Sequence, residues 1–309
     1  PMKSFYRVML GQGSMYAQEC REQGYVGAGF DINQDLSNSL PEEWREFNKQ
    51  FIPIYLEANP GKSKISAGLR CGALWTICKG IVIGDIILSP DGKGKYFVGE
   101  VQSEYRFVPG VDQPHQRQVN WFEEKIDRSE MSDSLKNSTG SIGTISQISK
   151  YREELEGLIK GDAPKPVLIS TDETIEDPAV FALEKHLEDF LVANWSQTPL
   201  GREYDIYQEE DNFGRQFPTD TGPIDILAIS KNKNEILVVE LKKGRASDSV
   251  VGQIQRYMGY IAEEIAEEHQ RVSGVIIALE DDLRIRRALK VAPNIEFYRY
   301  EVKFDLIKA

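Results

Sequence analysis

One carboxylate stands where an apolar run should be unbroken. Glu235–Lys243 (EILVVELKK) is apolar from Ile236 to Val239, then places Glu240 ahead of Leu241 and Lys242. A carboxylate in a buried strand is costly unless it is paired or metal-bound. The run before it, Pro223–Ser230 (PIDILAIS), is a second strand, and the polar turn Lys231–Asn234 joins the two. An antiparallel hairpin brings Asp225 close to Glu240. The two-residue period of a strand puts Glu240 and Lys242 on one face.

Neighbouring residues sharpen this reading. Ser247 and Asp248 open a long helix reaching about Glu268, on which Gln253 and Tyr257 are four apart and share a face. Asp177-Pro178 opens an earlier helix running to about Ala193. Its apolar stripe is Val180, Leu183, Leu187 and Phe190/Leu191, and Glu184 lies within it. Glu-x-Lys alone is a common solvated strand pair. Two carboxylates and a lysine that converge can hold a hard divalent ion, which keeps several waters and contacts a phosphate oxygen. Such an ion polarises the phosphate and acidifies a water nucleophile. The strand VSGVIIAL (272–279), a short basic helix (282–291) and a strand from Ile295 to Phe304 complete a mixed α/β order.

The segment GPIDILAISKNKNEILVVELKKGRASDSVVGQIQRYMGYI (222–261) resembles the catalytic core of the PD-(D/E)XK nucleases and is most similar to their NucS-like branch. LEKHLEDFLVANW (183–195) resembles the helix that opens that domain. The resemblance implies a phosphodiesterase dependent on Mg²⁺, with Mn²⁺ able to substitute. Asp225 and Glu240 would bind the metal, with Glu184 touching it directly or through water. Lys242 would contact the nucleophile, and Gln253 and Tyr257 would support the site. Lys243, Arg245 and Arg256 are the natural phosphate contacts. Arg284, Arg286 and Arg287 form a second basic cluster.

The first half reads differently. Residues 79–108 form successive short strands with Gly-rich turns, which suggests a small barrel. Glu42–Tyr55 has roughly helical spacing. Residues 129–150 are polar and Ser/Gly-rich and read as a connector into a short charged helix near 147–160. KGDAPKP (160–166) marks a boundary. The resulting division is 1–125, a helical connector 126–165, and 166–309. GALWTICKGIVIGDIIL, YFVGEVQSEYRF and HQRQVNW, within 72–121, resemble the PUA/EVE-like domain found in front of Mrr-type restriction nucleases. That resemblance implies an aromatic-lined pocket for a flipped base, with π-faces for stacking and polar groups for its edge. Phe30, Trp75, Tyr105 and Trp121 are the candidate walls. Asp31, Ser103 and Asn120 are the candidate polar readers. His115, Arg117 and Arg70 are candidate backbone contacts. The fold class expected is therefore α/β, a PUA/EVE-like small β-barrel with helices followed by a PD-(D/E)XK mixed α/β core.

Charge and composition narrow the alternatives. Lys+Arg number 37 against 49 Asp+Glu, a net −12, which argues against a wholesale basic nucleic-acid coat. Residues 161–309 hold 18 basic and 28 acidic residues, so the acidity is concentrated there. Three cysteines, Cys20, Cys71 and Cys78, make a disulfide framework or a zinc site poor readings. The histidines His115, His186 and His269 are scattered, and GQGSMY (11–16) lacks the Lys and Ser/Thr of a phosphate loop, so no ATPase domain is expected. No apolar run approaches a membrane span, and the N-terminus lacks a secretory pattern. The expectation is a cytoplasmic, homodimeric endonuclease acting on double-stranded DNA with modified cytosines, a type IV-like restriction activity. The alternatives are a NucS-like mismatch- or structure-specific repair nuclease and a non-catalytic nucleic-acid-binding protein.

Overall fold

The computed structural model describes residues 2–140, 144–162, 187–210, 212–242, 244, 246–301 and 306–309. Two compact units emerge. One is Pro1–Lys165 with Gln208–Pro223; the other is Pro166–Tyr207 with Ile224–Ala309.

The first unit is built on an eight-stranded curled sheet. Its elements in chain order are β1 (Phe5–Val8), α1 (Ala17–Gln23), β2 (Tyr25–Ala28), α2 (Trp44–Ala58), α3 (Lys64–Trp75), β3 (Ile86–Pro90), β4 (Lys95–Val101), β5 (Arg106–Phe107), β6 (His115–Trp121), β7 (Ile126–Asp127), α4 (Asp133–Gly140), β8 (Ile145–Gln147) and α5 (Arg152–Ile159). Across the sheet the order is β2-β6-β4-β3-β1-β8, with β5 on β6 and β7 on β4. β1 and β3 run parallel. Helices α2 and α3 cover one core with Phe47, Phe51, Tyr55, Cys71 and Leu74.

Helix α3 was not legible as a helix, because its interior is made of small residues. Ser63 caps it, accepting from Ser66 N at 3.1 Å. At Gly72 a Cβ would come within 2.2 Å of the Trp44 indole, so only glycine lets α2 and α3 approach this closely. A π turn, Thr76–Gly80, ends the helix.

The stretch expected to be a connector is part of this unit. Ile126–Asp127 pairs with β4 and Ile145–Gln147 pairs antiparallel with β1. Met131, Leu135, Ile148 and Leu155 are buried in a second core with Phe5 and Leu88. A few well-spaced apolar residues suffice there, and that is why the stretch reads as polar.

Two buried polar side chains brace the sheet. Arg117, expected at a DNA backbone, is 1% exposed. Its Nε donates to Ser103 O at 2.8 Å and its Nη1 to Ile77 O at 3.1 Å and to Ile81 O, so it caps the π turn's carbonyls. Burial holds its pKa below the ordinary arginine value. His115, expected in the same role, is fully buried. Its Nε2 lies 2.5 Å from Ile32 O and its Nδ1 2.8 Å from Tyr105 OH. A carbonyl only accepts, so Nε2 carries the hydrogen and Nδ1 accepts from the tyrosine. Burial lowers the histidine pKa and keeps the ring neutral.

The second unit contains α6 (Leu187–Ala193), α7 (Pro199–Glu203) and β9 (Tyr204–Ile206). The chain then passes through β10 (Gln208–Glu209), β11 (Asn212–Phe213) and β12 (Arg215–Thr219), a segment that groups with the first unit. It continues with β13 (Gly222–Ser230), β14 (Glu235–Leu241), α8 (Ser249–Tyr260), β15 (Arg271–Ala278), α9 (Leu283–Lys290) and β16 (Ile295–Arg299). β13 and β14 are antiparallel, whereas β14, β15 and β16 run parallel, and β9 lies on β13. Both faces of this sheet are covered. Trp195, Leu200 and Tyr204 pack on Ile226, Ala228, Leu237 and Val239. Helix α8 lies on the other face, so closely that a Cβ on Gly274 would meet Met258 Sδ at 2.6 Å. Among the described residues no helix is long and apolar enough to cross a membrane.

Candidate active site

The β13–β14 ladder pairs Ile226 with Val239, and its next step sets Asp225 opposite Glu240. There the Asp225 side chain takes over from the backbone, its Oδ2 accepting from Leu241 N at 2.7 Å. Lys242 stays in register with the parallel neighbour, its N donating to Ile277 O at 2.8 Å. Alternation then turns Glu240 and Lys242 toward α8, away from the face holding Leu237 and Val239.

Glu240 is 4% exposed. Lys242 Nζ is 3.2 Å from Glu240 Oε1 and donates to Gln253 Oε1 at 2.9 Å. Gln253 Nε2 in turn donates to Tyr257 OH at 3.2 Å. Tyr257 is buried, and burial raises its pKa; the nearby Glu240 and Asp225 carboxylates add to the rise, while the Gln253 hydrogen bond opposes it. Five of the six residues expected at the catalytic site therefore converge at one end of β14. The sixth, Glu184, lies outside the described residues, as do Lys243 and Arg245. Arg256 is exposed on α8, close enough for its charge to lower the Tyr257 pKa slightly.

Tyr300 was missed. Its hydroxyl accepts from Gly244 N at 3.5 Å, and its own N donates to Ala278 O at 3.0 Å, which ties down the turn after Lys242. A tyrosine beyond a terminal strand carries no sequence signal that separates this task from core packing.

The donors are carboxylate oxygens, suited to a hard divalent cation such as Mg²⁺ rather than to zinc or copper. Asp225 and Glu240 could hold such an ion. No cluster of three or more His, Cys, Asp or Glu able to bind metal occurs among the described residues.

The candidate base-pocket residues are in the first unit, and much of their hydrogen-bonding capacity is already engaged. Trp75 Nε1 donates to Pro41 O at 3.1 Å and its ring lies 5.8 Å from Trp44. Tyr105 OH accepts from Leu36 N at 3.2 Å and stacks on His115. Trp121 Nε1 donates to Cys20 O at 3.1 Å. Ser103 Oγ accepts from Gln118 N and donates to Glu104 O, both at 2.8 Å. Asn120 is exposed on β6 opposite Glu100. Phe30 and Asp31 are consecutive left-handed residues, with φ of 55° and 58°, and the Arg70 guanidinium covers the Phe30 ring at 5.3 Å. Two adjacent non-glycine residues at positive φ are a locally strained arrangement.

Residues 184–306 match the family described as the endonuclease NucS C-terminal domain, so this part of the chain is NucS-like. Residues 6–149 match a domain of unknown function (DUF8426). Among solved structures, the chain is similar to a repair endonuclease from Pyrococcus abyssi at 16% identity, covering 69% of this chain and 66% of that one with a TM-score of 0.29. It is also similar to EndoMS in an EndoMS–dsDNA2 complex, at 14% identity, 71% and 66% coverage and a TM-score of 0.32. Apo EndoMS gives 15% identity, 71% and 65% coverage and a TM-score of 0.30. The chain thus spans just under two thirds of the length of these proteins.

Proposed function

We propose that this protein is a divalent-metal-dependent DNA endonuclease whose active site is the Asp225–Glu240–Lys242 end of β14. The observation that carries the reading is a buried Glu240 beside Lys242, opposite Asp225, within a stretch that matches a nuclease domain. Asp225 and Glu240 would hold Mg²⁺, with Glu184 completing the set. The ion, when bound, supplies phosphate polarisation and an acidified water. Lys242 offers its ammonium to the negative charge that develops on the phosphate oxygens. Gln253 fixes that ammonium by accepting from Nζ, and the buried Tyr257 fixes Gln253 by accepting from its Nε2. Two copies of the chain, each cutting one strand, would make a double-strand break.

We further propose that the first unit directs cutting to DNA carrying modified cytosine, in a type IV-like restriction role. Support comes from the strained Phe30–Asp31 pair on a loop anchored by Tyr105 and Trp75, since backbone strain of this kind clusters at binding sites. The second reading, mismatch- or structure-specific repair cleavage, is favoured by the NucS match in the catalytic half. One experiment tests all of this. Matched duplexes carrying cytosine, 5-methylcytosine, 5-hydroxymethylcytosine or a mismatch are incubated with the protein and Mg²⁺, and with EDTA. Cleavage of a modified duplex alone supports restriction, and cleavage of the mismatch alone supports repair. No cleavage of any duplex, with any divalent metal, overturns the nuclease reading.

A further inference from the structure

Helix α9 concentrates positive charge on a unit that is otherwise acidic. Its sequence, LRIRRALK, carries Arg284, Arg286, Arg287 and Lys290, all exposed, and only Ile285 is fully buried. Arg286 is engaged by Asp281, with Nε 2.6 Å from Oδ2. No ion pair joins Arg284, Arg287 or Lys290 among the described residues. Arg284 and Arg287 are three apart, as are Arg287 and Lys290, so the three cations follow one outer flank of the helix. The N-terminus of α9 offers nothing further, since Asp282 caps it by accepting from Ile285 N at 2.9 Å.

The position of this flank matters. Helix α9 is the crossover between the parallel strands β15 and β16, so its first turn lies at their carboxyl edge. That edge holds the catalytic strand end, because Lys242 N donates to Ile277 O and Leu279 N donates to Gly244 O at 3.0 Å. Helix α9 also packs against α8, which carries Gln253, Arg256 and Tyr257. The first turn of α9, with Arg284 and with Arg287 next along the flank, thus lies at the same edge of the sheet as the candidate site.

We infer that Arg284, Arg287 and Lys290 form a ridge that binds the phosphate backbone of double-stranded DNA beside the cleavage site, without reading sequence. The inference rests on the endonuclease reading and adds the surface that holds the substrate against an acidic domain. Charge complementarity selects the occupant: three cations along one short helix match regularly spaced phosphates. An anionic membrane is the alternative occupant that the test must separate, because Leu283 and Val291 are exposed at the two ends of α9 even though Ile285 is buried.

The test is duplex binding by the full-length protein in EDTA, titrated across a salt series. Each phosphate neutralised contributes a slope of about −0.9 to log K against log[salt]. The triple variant R284Q/R287Q/K290Q should bind roughly ten-fold more weakly at moderate salt, with a slope shallower by about 2–3. R284K/R287K should keep the wild-type slope, and R286Q should change it less than any one of the three. An unchanged slope in the triple variant, with wild-type cleavage retained, overturns the ridge and leaves the nuclease reading standing. Loss of binding to phosphatidylserine vesicles with the DNA slope unchanged overturns it in favour of a membrane surface. Failure of the wild-type protein both to bind and to cut duplex DNA overturns the ridge together with the reading beneath it.

Discussion

Lys242 Nζ lies 3.2 Å from Glu240 Oε1, two residues back on the same face of the strand. The pair makes a buried carboxylate tolerable and holds an ammonium beside the candidate metal donors. Replacing either member should therefore abolish activity. Asp225→Ala, Glu240→Ala and Lys242→Ala should each lose at least about 10²–10³-fold in cleavage rate, as expected when a preorganised charge is removed. Duplex binding in EDTA should survive. Near wild-type cutting by Asp225→Ala in Mg²⁺ would remove the assignment.

Gln253 acts through Lys242 rather than on the substrate. Gln253→Ala should cost on the order of 10–100-fold, less than Lys242→Ala, and should appear in kcat with KM little changed. A loss confined to thermal stability would mean a purely structural role.

The fold should weaken in mild acid. Burial lowers the His115 pKa, so the folded state favours the neutral ring while the unfolded chain titrates near 6.5. The stability contributed is fully present above about 6.5 and is lost as pH falls toward the depressed folded value. The unfolding midpoint should drop across that window, and His115→Gln should flatten the slope there. An unchanged pH dependence in this variant would place the acid sensitivity elsewhere.

The cysteines should be silent until the chain unfolds. Burial pushes the thiols of Cys20 and Cys71 up to about 12, and that of Cys78 higher still. All three are free and buried. A thiol-specific disulfide reagent at pH 8 should react slowly with the native protein and should titrate three groups in denaturant. Rapid reaction of any one in the native state would mean that its site opens.

The candidate active site was legible because its parts are local. Asp225, Glu240 and Lys242 lie on one hairpin, and Gln253 and Tyr257 on the helix that follows, so a period of two and a spacing of four suffice to bring them together. The first unit resisted the same reading. His115 bonds Ile32 O and Arg117 bonds Ile77 O, partners far away in the chain, and nothing near either residue hints that it is buried. Helix α3 hides behind small residues, and its Gly72 matters only because Trp44 packs on it. The stretch 126–162 contributes strands through a handful of residues among many polar ones.

Residues Gly29 to Pro41 form neither helix nor strand, yet they hang from three rings. His115 holds Ile32 O, Tyr105 holds Leu36 N and Trp75 holds Pro41 O. A protease must draw a segment out into an extended form to cleave it, and each of these anchors would have to break first. The longest irregular stretch of this sheet should thus resist nicking that ordinary surface loops of its length invite, and Tyr105→Phe, which removes one anchor and leaves the ring, should be enough to admit the enzyme.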